Sequence, residues 1–130
     1  MRVTTLKVLG THLLAELTGC DAAVLDDLDR LQEIFNAAAG VAGATIVNTT
    51  SHRFAPHGVS VVVVISESHI SVHTWPEYGY ASVDFYTCGD TVDPHKGLDY
   101  IRQQLGATDA QVQEVPRGIP SPTMEKLAHK

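Results

Sequence analysis

The feature that most constrains this chain is a near-continuous apolar run, Val59 to Ser66, preceded by the breaker Pro56-His57-Gly58 and followed by two further β-branched and aromatic stretches, Ile70 to His73 and Ala81 to Tyr86. A run this short and this rich in valine reads as a strand, and apolar residues at successive positions predict one buried on both faces. The turn signal Pro76-Glu77-Tyr78-Gly79 separates the two stretches that follow, and Ala44 to Thr50 supplies a β-branched segment ahead of the breaker. The middle third is therefore expected to fold as an antiparallel meander.

On either side of the meander the period changes to that of a helix. Val24, Leu25, Leu28, Leu31, Ile34, Phe35 and Ala38 recur at i, i+3/i+4 behind a capping Asp21, which predicts one amphipathic helix ended by Gly40 or Gly43. Asp93-Pro94 is an N-cap with proline at the first helical position, and Leu98, Ile101 and Leu105 carry a second helix to Gly106. Thr4 to Leu17 reads as one or two strands, and a last strand near Gln111 to Val115 ends at Pro116. Residues 117–130, with Pro120 and Pro122, are expected to form a flexible tail to a single domain spanning 1–116.

The expected fold is α+β: a two-layer α/β sandwich, with a mostly antiparallel sheet and two helices on one face. The other face also needs cover, which suggests sheets packing face to face in a dimer. A chain of 130 residues with 44% hydrophobic and 18% charged residues can bury one ordinary core. Its longest purely apolar run, Val61 to Ile65, falls far short of the roughly 20 residues of a membrane span, and no signal-type block follows Met1-Arg2-Val3, so the expected location is cytoplasmic. Nine Lys and Arg against fifteen Asp and Glu give a net charge of −6 without a basic cluster, which disfavours nucleic acid and would suit a cationic small molecule. Cys20 and Cys88 are expected to be free thiols.

Chemistry concentrates in SVVVVISESHISVHTWPEYGYASVDFYTC, from Ser60 to Cys88. Strand pairing could bring Ser68, His73 and Cys88 together. Taken singly, each has an ordinary reading as a loop serine, a hydrogen-bonded histidine or a small core thiol. His69 and His73, four apart, with Glu77 and Cys88, form a possible metal-ligand set, although no CxxC supports it. A Ser-His-acid hydrolase is set aside for want of a G-x-S-x-G elbow.

The block HRFAPHGVSVVVVISESHISVHTWPEYGYASVDFYTCGDTVDP, residues 52–94, resembles the S-adenosylmethionine decarboxylase proenzyme family of the prokaryotic, pyruvoyl-dependent type. GTHLLAELTGCDAAVLDDL matches its amino-terminal part, and the strings ESHxSxHTWPEYGYA and YTCGD are specific to it. The resemblance covers approximately residues 9–115 and implies self-cleavage between Glu67 and Ser68, giving a β chain of 1–67 and an α chain of 68–130. It implies that Ser68 Oγ attacks the Glu67 carbonyl, that His73 is the processing base with Ser60 assisting, and that Ser68 becomes a pyruvoyl group. This self-derived cofactor would form a Schiff base with the substrate amine, with no metal and no pyridoxal phosphate. By the same resemblance Cys88 is the proton donor, Glu77 holds the ribose, Phe54 stacks on adenine beside the sulfonium, and Trp75 lines the pocket. The implied product is S-adenosylmethioninamine, the aminopropyl donor for spermidine synthesis, made by a homo-oligomer, at least a dimer, whose sites share residues across the interface.

Three positions depart from the family pattern: Ser51 stands in place of an aromatic, Val61 in place of a glycine and His95 in place of a tryptophan. They leave open decarboxylation of L-ornithine or L-arginine on the same scaffold. An uncleaved, non-catalytic paralogue is the reading from another class.

Overall fold

The structure, a computed structural model, describes residues 8–119. Strand β1 (Gly10–Thr18) leads into the short helix α1 (Ala22–Leu25) and the longer α2 (Leu28–Val41). Then come β2 (Ile46–Arg53), β3 (Val59–Ile65) and β4 (Ser68–Trp75), a 3-10 turn at Pro76–Tyr78, β5 (Tyr80–Cys88), α3 (Pro94–Leu105) and β6 (Asp109–Arg117). The strands form a 6-stranded sheet in the order β2-β3-β4-β5-β1-β6, each neighbouring pair antiparallel. The α+β class and the antiparallel sheet expected from the sequence are what the structure has.

Alternation along the strands sorts side chains to two faces. Leu13, Val61, Val63, Ile70, Val72, Val83 and Phe85 are buried in one core with Leu31, Phe35, Ala38 and Ile101 of the helices. At Gly97 on α3, a Cβ would lie 2.6 Å from Phe85 Cζ, so only glycine lets this helix sit so close to the sheet. The opposite face carries Ser60, His69, Ser71, His73, Ser82 and Asp84, all half-buried or exposed.

Four expectations are corrected. Val59 to Ile65 is buried on one face only in the single chain, with Val64 38% exposed; valine occupies both sides of the strand, so residue type hides the period of two. The helix expected from Asp21 to Ala38 is two helices, because Asp27 has extended backbone and its carboxylate caps Arg30 N at 3.0 Å. The second of these runs past Gly40 to Val41, and Gly43 takes the positive φ beyond it. The last strand continues through Pro116 to Arg117, since β6 is an edge strand where proline's missing N–H is tolerated. The strand expected from Thr4 is a single one from Gly10, and positions 1–7 and 120–130, including most of the expected tail, lie outside the described residues. Among the described residues no helix is long and apolar enough to cross a membrane.

Candidate active site

The β3–β4 hairpin turns through Ser66 and Glu67 without a glycine. Glu67 has φ +68° and Ser68 φ +138°, the only described non-glycine residues at positive φ. A Cβ makes that half of the map costly, so two strained residues flank one peptide bond. Ser68 opens β4 opposite Thr87, and this register brings its Oγ to 3.8 Å from the Sγ of the buried, free Cys88. The strained turn lines a cleft of about 770 Å³ with Ser66, Ser68, Gly89, Asp90 and Thr91.

The other end of the same strands builds a second group. Ser60 pairs with His73 across β3 and β4, and Ser60 Oγ lies 2.7 Å from His73 Nδ1. Phe54, Trp75 and Glu77 join them around a pocket of about 300 Å³, which His57 also lines. Phe54 and Trp75 keep 49% and 39% of their surface exposed, available to a ligand. Thr74 is buried at the base, accepting from Val59 N at 2.9 Å and donating to Leu25 O at 2.7 Å, which ties the pocket floor to α1.

The structure therefore splits the expected triad. Ser68 and Cys88 meet, but His73 is five residues along β4 from Ser68, some 16 Å at about 3.3 Å per strand residue, too far to act on it within one chain. The metal-ligand set is likewise dispersed: His73 and Glu77 sit at the pocket, Cys88 at the opposite strand end, and His69 is bonded to Asp84.

A cluster that sequence reasoning missed lies between these two ends. Asp84 on β5 accepts from His12 Nε2 at 2.5 Å, from His69 Nε2 at 3.1 Å and from the Ser71 hydroxyl. Burial alone would raise its pKa, but the hydrogen bonds from Ser71, His12 and His69 outweigh that and hold the carboxyl below the ordinary value. His12, His69 and Asp84 are grouped tightly enough to suggest metal ligands. The donor set argues otherwise. Arg117 Nη1 lies 2.9 Å from His12 Nδ1 and can only donate, so Nε2 carries the proton and faces Asp84 with an N–H rather than a lone pair. Alternation could have put His69, Ser71 and His73 on one face, but the cross-strand register that adds His12 and Asp84 is not written locally.

The three departures from the family pattern fall away from the pocket. Ser51 donates to Gln32 Oε1 of α2 at 2.9 Å, and Val61, its partner across β3, is fully buried in the core. Both lie on the face opposite Ser60 and His73. His95 is an exposed residue 3.1 Å from Glu114 Oε1. Cys20, the other thiol, is pushed up to about 11 by burial and is unsuited to reaction.

Comparison with known proteins places the chain in a family. The family model for S-adenosylmethionine decarboxylase matches residues 11–118. A relative from Fervidobacterium nodosum, an S-adenosylmethionine decarboxylase proenzyme, is 52% identical over 113 residues, 87% of this chain and 82% of its own. One from Thermosipho africanus with the same description is 50% identical over 113 residues, 87% of each chain. The crystal structure of the adenosylmethionine decarboxylase from Aquifex aeolicus superposes with a TM-score of 0.84 at 40% identity, covering 93% of this chain and 100% of that one. With most of its length matched in sequence and in fold, this chain belongs to the S-adenosylmethionine decarboxylase family.

Proposed function

We propose that the chain cleaves itself between Glu67 and Ser68 and then, as a pyruvoyl enzyme, decarboxylates S-adenosylmethionine to S-adenosylmethioninamine. The observation that carries this reading is the Glu67–Ser68 bond itself, strained on both sides and held beside Cys88 at the mouth of a cleft. Positive φ at two residues that carry a Cβ costs on the order of 1–3 kcal/mol each, and scission of the bond releases it.

In processing, Ser68 Oγ adds to the Glu67 carbonyl and the amide C–N bond breaks, leaving an ester and a free Ser68 amine. A base then takes the Ser68 α-proton, the Cβ–O bond breaks and the Glu67 carboxylate leaves. Hydrolysis of the resulting dehydroalanine gives ammonia and the terminal ketone. The residues at the cleft fit such a group, since Ser68 is at a strand end with open space in front of it. When present, it supplies an electron sink for the pair released as carbon dioxide departs. The Cys88 thiol stands ready to return a proton to the substrate carbon.

The base is His73 of a second copy. Its Nδ1 is engaged by Ser60, which orients the ring, and among the described residues the face that carries it has no helix over it. Packing two such faces together would join the Ser68–Cys88 end of one chain to the Ser60–His73 pocket of the other, with Phe54 and Trp75 for the adenine and Glu77 for the ribose hydroxyls. Ornithine and arginine carry no sugar hydroxyls for Glu77 to hold, and Ser51 and Val61 do not reach the pocket.

Intact mass under denaturing conditions tests the processing step. Wild type should give two fragments, 1–67 and 68–130, the second with its amino terminus converted to pyruvoyl, and Ser68→Ala should stay full length. The processed protein should release carbon dioxide from S-adenosylmethionine and not from ornithine or arginine. A wild type that remains uncut would overturn the reading and favour a non-catalytic paralogue.

A further inference from the structure

His57 entered the sequence reading only as part of a chain breaker, yet the fold gives it a defined place. The loop from Phe54 to Gly58 is closed by a hydrogen bond from Phe54 N to Gly58 O at 2.8 Å. Gly58 N donates to Asp26 Oδ1 at 3.0 Å, and Arg53 Nη1 lies 3.3 Å from the same oxygen, so the loop is tied at its base to the end of α1. Gly58 holds φ +106°, with the site of a Cβ 3.2 Å from Thr74 O, so the backbone there is fixed by close packing. From this anchored loop His57 reaches across to the 3-10 turn, where its Nε2 stands 3.1 Å from Glu77 Oε2.

The pair is half-exposed at the edge of the pocket that Phe54 and Trp75 line. Aromatic faces next to a carboxylate and an imidazole paired with it match a ligand with a flat ring joined to a hydroxylated sugar. The carboxylate offers only acceptor oxygens; the imidazole, with Nε2 turned to Glu77, adds its second ring nitrogen, Nδ1, as a further partner for a hydroxyl.

We propose that His57 is a substrate-binding, specificity-determining residue that acts with Glu77 on the hydroxyls of the nucleoside part of the substrate. The assignment rests on the decarboxylase reading above and assigns His57 no part in processing or in carbon dioxide loss. Ser68, Cys88 and the Ser60–His73 pair serve those steps.

The experiment compares wild type, His57→Ala and His57→Gln in steady-state release of carbon dioxide from S-adenosylmethionine and from its 2′-deoxy and 3′-deoxy analogues, with intact mass as the control for processing. His57→Ala should be cleaved as fully as wild type, keep its kcat, and raise KM about tenfold, the value of one hydrogen bond at a partly exposed site. His57→Gln, whose amide can both face Glu77 and bond a hydroxyl, should recover most of the loss. The penalty for removing a sugar hydroxyl should be smaller in His57→Ala than in wild type. An active wild type paired with an unchanged KM in His57→Ala, a fall in kcat alone, or equal deoxy penalties in both proteins would overturn the assignment and leave the decarboxylase reading intact. A processed wild type inactive on S-adenosylmethionine would overturn both.

Discussion

At the scale of single residues, position matters more than type. Two cysteines of equal burial differ because Cys20 is enclosed by packing that raises its pKa, while Cys88 lies within 3.8 Å of the hydroxyl on which the chemistry is proposed to begin. Cys88→Ala should leave cleavage at Ser68 intact but lower kcat by roughly 10²-fold or more, the usual worth of a positioned proton donor. Progress curves should also bend as protonation at the wrong carbon consumes the enzyme. Equal turnover in Cys88→Ala and wild type would remove the thiol from the reaction. The sequence made Ser68, Cys88 and His73 candidates by their density and by the family resemblance, and could not show that two of them meet while the third lies at the far end of the strand. That depends on which cross-strand pairs form, and a strand's sequence does not name its partner.

At the scale of elements, the boundaries were legible wherever a local interaction sets them. Asp93 caps α3 through His95 N and Lys96 N, and Gly106 closes it in the left-handed conformation, as the residues suggest. The break between α1 and α2 was missed because Asp21 and Asp27 are both competent caps, and apolar periodicity runs on across the break. Helix α3 owes its seat on the sheet to the missing Cβ of Gly97. Gly97→Ala should therefore destabilise the fold by about 1–3 kcal/mol despite alanine's better helix propensity, read as a lower urea midpoint. An unchanged or higher midpoint would mean that Phe85 can move aside.

For the whole molecule, among the described residues the sheet has one face under helices and one not covered by them, and the expected site is divided between its two ends. If His73 serves Ser68 of a second copy, the two defects should complement each other. A His73→Ala chain should stay uncut when expressed alone and be cleaved when co-expressed with Ser68→Ala, which cannot be cut itself but still carries the base. Intact mass distinguishes the two chains, and no cleavage in the mixture would show that His73 acts within its own chain or not at all. Sedimentation at micromolar concentration should show at least a dimer. The strip of His12, His69, Asp84 and Arg117 would then lie between sheets, with its main hydrogen bonds made within the chain.

The sequence by itself determined the fold class, the caps of α3 and the Pro76–Gly79 turn, because each is set by period, by a side chain that bonds its own backbone, or by proline and glycine. It also carried the strings ESHISVHTWPEYGYA and YTCGD, and with them the family. Tertiary structure alone decided that Ser51 and Val61 face away from the pocket, that His12 and Asp84 converge, that Glu67 and Ser68 are strained and that His57 reaches Glu77. Each of these follows from strand register or from a loop anchored on a distant helix, and such contacts join residues whose separation along the chain leaves no local pattern to read.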